Sequence, residues 1–151
     1  MKSTQASIVA DKVCALSAFI TGSQVYGFPS EKSDWDVCVS YLDLESATNW
    51  IVELGGSFTE QSNYNDGTKY TFNDDSVINL IPLHHMDLLY WALATREMEE
   101  MKISGYYEES LRDKKTRHSL FELKRTTFKL AMRLVEFQES LNMLKVIKGV
   151  K

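Results

Sequence analysis

The sequence has few of the residues that staple or break a chain. It contains two cysteines and two prolines in 151 residues, and no apolar run approaches the length of a membrane span. Cys14 and Cys38 stand in apolar stretches without metal-ligand spacing, so we expect reduced core thiols and neither a disulfide framework nor a zinc site. The amino terminus lacks the basic-then-apolar pattern of a secretory signal. These absences predict a cytoplasmic protein that does not enter a membrane.

Positively charged residues are scarce in the first 110 positions. Residues 1–110 hold 6 Lys/Arg against 17 Asp/Glu, a balance of −11, whereas residues 111–151 hold 11 against 4, a balance of +7. Two interpretations of this asymmetry stay open. Either the basic segment packs against the acidic body, or it faces the phosphates of a nucleotide or nucleic acid.

What is present is the composition of a globular chain. Hydrophobic residues make up 44% and charged residues 25%, and the length suits one domain, with or without a helical extension. Apolar periodicity predicts an α/β (α+β) chain. In order, it predicts a helix over 4–15, strands over 18–21 and 34–41, a helix over 44–54, strands over 57–64, 68–73 and 77–81, and a helix from 84 to about 103. Asp66-Gly67 favours a tight hairpin, because both central residues of such a turn must tolerate positive φ.

The C-terminal part reads as one long helical stretch. No Gly or Pro occurs between Tyr106 and Lys148, and apolar residues from Leu120 to Leu144 fall at alternating spacings of three and four, interrupted by Thr127. A helix of ~35 residues would be about 50 Å long, so it breaks or part of it finds a partner. We therefore expect a core over 1–105 and an extension over 106–151 that packs on the core or on a partner. Leu120–Leu144 would mediate a homodimer or bind a helical protein.

Two aspartates two positions apart are the most informative feature. Asp34 and Asp36 fall on a predicted strand, so their side chains leave the same face. Two carboxylates held this close repel unless a cation sits between them, and hard oxygen ligands suit Mg²⁺, which borrows further oxygens from substrate phosphates. Upstream, Gly22 lets the backbone turn at a strand end. Ser23 follows with its hydroxyl and free amides at a helix start, where phosphate is stabilised.

Gly-Ser, ten residues, then Asp-x-Asp resembles the signature of the minimal nucleotidyltransferases of the DNA polymerase beta superfamily. The resemblance is close over residues 19–39, and the order of elements extends it loosely to about residue 83. It implies a nucleotidyltransferase fold, a small mixed sheet flanked by helices, with Mg²⁺ as cofactor. By this resemblance we assign metal binding to Asp34 and Asp36, and nucleotide binding to Gly22, Ser23 and Ser33.

The third carboxylate of that family pattern is missing. Its counterpart strand is 77–81, where the central polar residue is Asn79. An amide oxygen can touch a metal but brings no charge and cannot accept a proton. We place Asn79 beside Asp34 and Asp36 as an imperfect third catalytic residue. Asp74, Asp75 or Asp87 would be alternative sources of the missing charge.

The histidines allow weaker assignments. His84 and His85 follow Pro82, where they either face the nucleotide or cap the next helix. His118 lies in a basic run and faces either phosphate or solvent.

The resemblance implies transfer of a nucleoside monophosphate from a nucleoside triphosphate (NTP) to a hydroxyl on a protein, RNA or small molecule. The family includes antitoxins paired with ribonuclease toxins, aminoglycoside nucleotidyltransferases and phage-encoded relatives, so a phage or toxin–antitoxin role is among the expectations. The alternative is a catalytically inactive member that binds nucleotide or engages a protein with the same fold. A nucleic-acid-binding module without nucleotide chemistry is a third alternative.

Overall fold

A five-stranded mixed sheet forms the centre of the computed structural model, which describes residues 2–13, 17–62 and 65–149, and side chains from residue 5 onward. The elements in chain order are α1 (Lys2–Val13), β1 (Ala18–Thr21), α2 (Ser23–Tyr26), β2 (Trp35–Ser40), a 3-10 turn (Tyr41–Asp43), α3 (Leu44–Glu53), β3 (Ser57–Gln61), β4 (Thr68–Thr71), β5 (Val77–Leu83), α4 (His85–Ser104), α5 (Glu108–Arg112) and α6 (Lys114–Ile147). The strand order is β1-β2-β5-β4-β3. β2 and β5 run parallel, and the other neighbours are antiparallel.

The period of two along β2 separates a core face from a second face. Val37 and Val39 are fully buried in the larger core, with α1 and α3 packed over them. Burying such a side chain contributes roughly 1.5–3 kcal/mol, so this face holds the sheet to its helices. Asp36 and Cys38 point to the opposite face, where Cys38 packs with α4 as a free thiol. The predicted role of Cys38 as a core thiol is confirmed, whereas Cys14 lies outside the described residues.

The second face is covered by α4, with α2, α5 and α6 arranged around it. Ala94 and Met98 of α4 form a smaller core with Tyr26, Leu111 and Phe121. The predicted helix over 84 to 103 is confirmed as α4, and Gly105 ends it with a left-handed φ of 71°.

Several predicted boundaries need correction. β5 does not stop at Pro82 but continues to Leu83, with Pro82 paired to Val39 of β2. β4 pairs with β5 only as far as Leu80, so among the described residues β5 has no strand on that side at Pro82. The N–H that proline lacks is therefore tolerated there. α1 begins before the predicted residue 4, and its predicted end, residues 14–15, lies outside the described residues.

The hairpin between β3 and β4 is also wider than predicted. It spans residues 62–67, of which 63 and 64 lie outside the described residues, as does the predicted end of the strand over 57–64. Asp66 has a positive φ of 56°, but Gly67 does not, so the two-residue turn with both φ values positive is wrong. A Cβ on Gly67 would lie 2.2 Å from Asn79 Oδ1, so close approach to β5 is what requires glycine there.

The C-terminal helical stretch breaks once, at Asp113. Its carboxylate accepts a hydrogen bond from the Thr116 N–H over 3.0 Å and so caps a new helix without any glycine or proline. α6 then continues for 34 residues, about 50 Å. Its first half packs on α4, while the side chains beyond about residue 133 are exposed. Over the described parts of the chain, no helix has the length and apolarity to cross a membrane.

Candidate nucleotide and metal site

One row of side chains crosses three strands at the centre of the second face. The strand register pairs Asp36 of β2 with Asn79 of β5, and Asn79 with Lys69 of β4. Asn79 is 3% exposed, and its amide nitrogen donates to Asp36 Oδ1 over 3.0 Å. The structure therefore places Asn79 beside Asp36, with the donor end of its amide facing the carboxylate. In this orientation Asn79 holds Asp36 in place and offers the site no negative charge.

Gly22 ends β1 directly against Asp36. Its φ is 77°, and a Cβ built on it would lie 2.2 Å from Asp36 Oδ2, so both conformation and space exclude any side chain there. The preceding residue, Thr21, is buried and hydrogen-bonded through its hydroxyl to that of Thr95 on α4 over 2.6 Å. These contacts fix the position of the following residue, Ser23, which begins the four-residue α2.

Asp34 lies one residue before β2 and is paired with a lysine. Lys69 Nζ is 2.9 Å from Asp34 Oδ2 and 3.6 Å from Glu60 Oε1. The hydrogen bond to Asp34 is the main cause that raises the pKa of Lys69, and the lysine is therefore charged at neutral pH. Asp34, like Lys69, remains partly exposed.

Asp36 is the more deeply placed carboxyl of the pair. Burial raises its pKa to about 6, with the charge of Asp34 adding to the effect, while the hydrogen bond from Asn79 and the charges of Lys69 and Lys114 oppose it. Desolvation outweighs these favourable contacts because a carboxylate loses more by leaving water than one amide donor restores. A cation beside Asp36 would reverse this balance.

A cavity of about 410 Å³ opens over these carboxylates. From the sheet side it is lined by Thr21, Gly22, Asp34, Asp36, Asn79 and Lys69, and from the helices and loops by Ser23, Tyr26, Phe28, Lys32, Ser33, Trp91, Lys114, Arg117, His118 and Phe121 among others. The start of α6 thus brings cations to a cavity whose sheet side carries carboxylates.

Arg117 is the least expected of these cations. It is 9% exposed, its guanidinium donates to the Leu111 carbonyl over 2.8 Å, and within the described part of the chain no carboxylate forms a salt bridge with it. Hydrogen bonds from Thr116 chiefly lower the pKa of Asp113, and the charge of Arg117 adds to this effect. The Arg117 guanidinium lies at the cavity wall, where it can donate to an anionic ligand. Lys114 and Lys32 also line the cavity, and neither forms a salt bridge within residues 2–13, 17–62 and 65–149.

The donor set fits a hard divalent cation in part. Asp34 and Asp36 supply carboxylate oxygens, whereas Asn79 turns its NH₂ to Asp36 and its Oδ1 toward Gly67, where this oxygen has no hydrogen-bond partner among the described residues. No group of three or more His, Cys, Asp or Glu side chains suited to a metal occurs among residues 2–13, 17–62 and 65–149. The two carboxylates are hard oxygen ligands, the kind that suits an ion such as Mg²⁺, which also takes ligands from water and phosphate.

The other residues singled out from the sequence divide clearly. Ser33 lines the cavity, and its hydroxyl accepts from the Ser30 N–H over 2.9 Å, which shapes the loop before Asp34. His118 also lines the cavity. His84 instead precedes α4, with its ring 5.1 Å from that of Tyr41. The carboxylates considered as sources of the missing third charge are not among the residues that line the cavity. Asp74 accepts a hydrogen bond from the Ser76 N–H in a turn, and Asp87 lies in the first turn of α4.

Sequence reasoning missed Lys69 and Arg117. The sequence contains one indication of the role of Lys69: it is the only Lys or Arg between Lys32 and Arg96, in an acidic stretch. An isolated lysine on a strand in such a stretch predicts a carboxylate partner. Arg117 has no such indication, because five other basic residues surround it in sequence and only the docking of α6 distinguishes it.

Comparisons with known proteins identify the fold. No protein-family model matches the sequence, and no curated protein matches it. Among solved structures, one of the GLD-2/RNP-8 complex is similar over 74% of this chain, with a TM-score of 0.50 and 14% identity. Cid1 in complex with the UTP analog UMPNPP and a cytoplasmic RNA terminal U-transferase each match over 66% of this chain, with TM-scores of 0.42 and 0.44 and identities of 14% and 13%.

This chain spans 43% of the first of these structures and 30% and 33% of the other two. At identities this low the likeness concerns the fold alone, and it rests on the GLD-2 structure, because the other two scores are lower. The predicted fold class is confirmed: a mixed five-stranded sheet flanked by helices, with a long C-terminal helix, in the nucleotidyltransferase fold.

Proposed function

We propose that this chain binds a nucleoside triphosphate with Mg²⁺ in the 410 Å³ cavity and transfers the nucleoside monophosphate to a hydroxyl acceptor. One observation supports this most: Asp34 and Asp36 share a cavity with Lys32, Lys114 and Arg117, three cations that form no salt bridge with any carboxylate in the described residues. Carboxylates hold a hard cation and the free cations receive phosphate oxygens, so together they match a metal-bound polyphosphate.

Each residue has a distinct task in this proposal. Arg117, anchored through Leu111, gives phosphate a fixed pair of donors, whereas Lys114 and Lys32 act as mobile point charges. Ser23 and Ser33 offer hydroxyls at the cavity wall. Phe28 is 37% exposed, but the Arg112 guanidinium lies 3.9 Å from its ring centroid, so the ring must exchange this contact before it can cover a base.

In the transfer, the acceptor oxygen forms a bond to the α-phosphorus as the bond from that phosphorus to the bridging oxygen breaks, and pyrophosphate leaves. A bound Mg²⁺ supplies charge neutralisation and polarises the phosphoryl oxygens. The hydroxyl proton requires a base, and Asn79 cannot be that base because an amide does not accept a proton near neutral pH. Asp34 and Asp36 are the carboxylates that line the cavity. The acceptor class, whether protein, RNA or small molecule, is open in this proposal.

A catalytically inactive nucleotide-binding protein is the second candidate. Two observations favour it: Asn79 turns an amide N–H₂ to Asp36, and Lys69 already neutralises Asp34. Both features lower the negative charge that would hold a second metal ion, which in two-metal enzymes activates the attacking hydroxyl. A smaller negative charge at the site would weaken turnover more than nucleotide binding, because Lys32, Lys114 and Arg117 can still contact the phosphates.

Calorimetric titration of the protein with non-hydrolysable NTPs in Mg²⁺ tests the binding step. We expect saturable heats for wild type and for Asp11→Ala, an exposed aspartate on α1, and none for the Asp34→Ala, Asp36→Ala double variant. If wild type gives no heat at millimolar nucleotide while remaining folded, both candidates are wrong. Labelled-NTP transfer to candidate acceptors then separates an enzyme from an inactive binder.

A further inference from the structure

Lys69 is placed where a metal ion would otherwise balance the aspartate pair. It lies in the same cross-strand row as Asp36 and Asn79, and its ammonium is 2.9 Å from Asp34 Oδ2. It also lines the cavity and is only 26% exposed, so this is a partly desolvated pair and not a solvated surface contact. An ammonium at this distance neutralises the Asp34 charge that would attract a divalent cation.

The other residues of this cross-strand row also limit the negative charge that a metal ion would have to balance. Asn79 contributes no charge, and Asp36 is held by the amide of Asn79 through a donated hydrogen bond. Glu60, which is paired with Lys69 in the register of β3 and β4, stands 3.6 Å from the Lys69 ammonium. Without ligand, the aspartate pair therefore has its counter-charge within the protein itself.

We infer that Lys69 is a resident counter-ion that competes with a divalent cation for Asp34, so that metal enters the site together with a polyphosphate and not alone. This inference rests on the proposed nucleotide-binding function and specifies how its site is regulated. A bare cation must displace the ammonium from Asp34 and leave it with Glu60 as its one carboxylate partner among the described residues, 3.6 Å away. A polyphosphate supplies new acceptor oxygens for Lys69 in the same cavity and thereby frees Asp34.

Binding of Mn²⁺ to the protein tests this without any need for catalysis, and equilibrium dialysis measures it because free Mn²⁺ and the Mn²⁺–NTP complex equalise across the dialysis membrane. We expect wild type to bind Mn²⁺ weakly alone and much more tightly with a non-hydrolysable NTP. Lys69→Met should tighten binding of Mn²⁺ alone by roughly tenfold, because it removes a positive charge that contacts Asp34 and repels the metal ion. In Lys69→Met, the nucleotide should also raise the affinity for Mn²⁺ by a smaller factor than in wild type.

Matched variants isolate the contact with Asp34. Lys69→Arg keeps the charge and should bind Mn²⁺ alone as weakly as wild type. Lys12→Met removes an exposed cation of α1 that is not among the residues lining the cavity, and should leave binding of Mn²⁺ alone near the wild-type value. Lys69→Gln is a second neutral variant should Lys69→Met unfold, and circular dichroism monitors folding throughout.

The outcomes separate the inference from the function on which it rests. If the nucleotide strengthens Mn²⁺ binding equally in wild type and in folded Lys69→Met or Lys69→Gln, and Mn²⁺ alone binds all of them alike, Lys69 does not compete and the inference is overturned. If the nucleotide fails to strengthen Mn²⁺ binding in every variant, including the neutral ones, the proposed nucleotide site itself is wrong.

Discussion

Asn79 is the residue that sets the amount of negative charge at the site. It is nearly isosteric with aspartate, is 3% exposed, and contacts Asp36 directly. The structure thus makes a single substitution the sharpest probe of this site, because Asn79→Asp changes charge with almost no change in shape.

We expect Asn79→Asp to lower stability in EDTA by about 1–3 kcal/mol, because a donated hydrogen bond is replaced by two adjacent buried carboxyls. Mg²⁺ with NTP should then stabilise this variant more than wild type, and labelled-NTP transfer should appear or rise as the site gains a proton acceptor. Thermal melts in EDTA and in Mg²⁺–NTP measure these two changes in stability. Asn73→Asp, at an exposed turn, is the charge control and should change neither. Equal melts for Asn79→Asp and wild type in both buffers would show that Asn79 has no electrostatic role.

Asp36 should make the metal-free protein sensitive to pH. Its pKa of about 6 lies above the unfolded value of 3.8, so the folded state binds the proton more tightly. This contribution is fully present below pH 3.8 and is lost as the pH rises through about 6. A shift of this size corresponds to ~3 kcal/mol. Because the residue is partly exposed, we expect on the order of 2 kcal/mol.

Urea unfolding of wild type and Asp36→Asn in EDTA, from pH 4 to pH 7, measures this effect. The free energy of unfolding of wild type should fall relative to that of the variant across the range. Asp11→Asn, an exposed aspartate on α1, should follow wild type at every pH. Parallel curves for wild type and Asp36→Asn would mean that burial does not perturb Asp36.

At the scale of elements, the start of α6 is what completes the cavity. The Asp113 cap begins a new helix direction after α5, and the first turns of α6 then place Lys114, Arg117 and His118 at the cavity wall. Phe121 anchors these turns between Tyr26 and Trp91, with ring centroids 5.9 and 5.0 Å away. The interpretation that the basic C-terminal segment packs against the acidic body holds for Lys124, which pairs with Glu97 of α4 over 3.7 Å. The first turns of α6 line the cavity, and their facing phosphate stays a prediction.

Arg117→Met should weaken nucleotide binding roughly tenfold or more, since a charge-assisted hydrogen bond contributes about 1.5–3 kcal/mol. Calorimetry with a non-hydrolysable NTP in Mg²⁺ provides the dissociation constants. Arg125→Met is the matched control on the same helix, because Arg125 pairs with Glu122 and does not line the cavity. Equal losses in the two variants would point to a general effect of charge on α6 and not to a phosphate contact.

At the scale of the whole molecule, the distal half of α6 extends away from the rest of the protein. The side chains of Leu134, Phe137 and Leu144 are 69%, 62% and 46% exposed. They belong to the apolar seam, the residues from Leu120 to Leu144 that recur at spacings of three and four, and none is part of the core clusters of the described residues. Apolar exposure on this scale is typical of an interaction surface. The division into a core over 1–105 and an extension over 106–151 stays a prediction.

We expect the purified chain to self-associate through this seam. Light scattering should show a mass above that of the 17.3 kDa monomer, and Phe137→Glu should shift it toward monomer. Gln138→Glu adds the same charge at the neighbouring position outside the seam and should leave the mass unchanged. A wild-type monomer at high micromolar concentration would contradict self-association and leave a separate helical partner as the remaining reading of the seam.

Local pattern was enough to predict the type and order of most elements and the part of the site that lies close in sequence. Periods of two and 3.6 located β2 and α4 because burial on one face is written into consecutive residues. Gly22 and the Asp34–Asp36 pair were found for the same reason, since one strand end and the next strand lie within 15 residues.

Only the tertiary structure decided what surrounds those residues. The pairing of β5 with β2 and β4 brings Asn79 and Lys69 into the row of Asp36, and this register depends on strands far apart in sequence. The need for glycine at position 67 comes from its approach to Asn79 and not from its own turn. Arg117 reaches the cavity because α6 docks on α4, a contact between faces that no local pattern in the chain specifies.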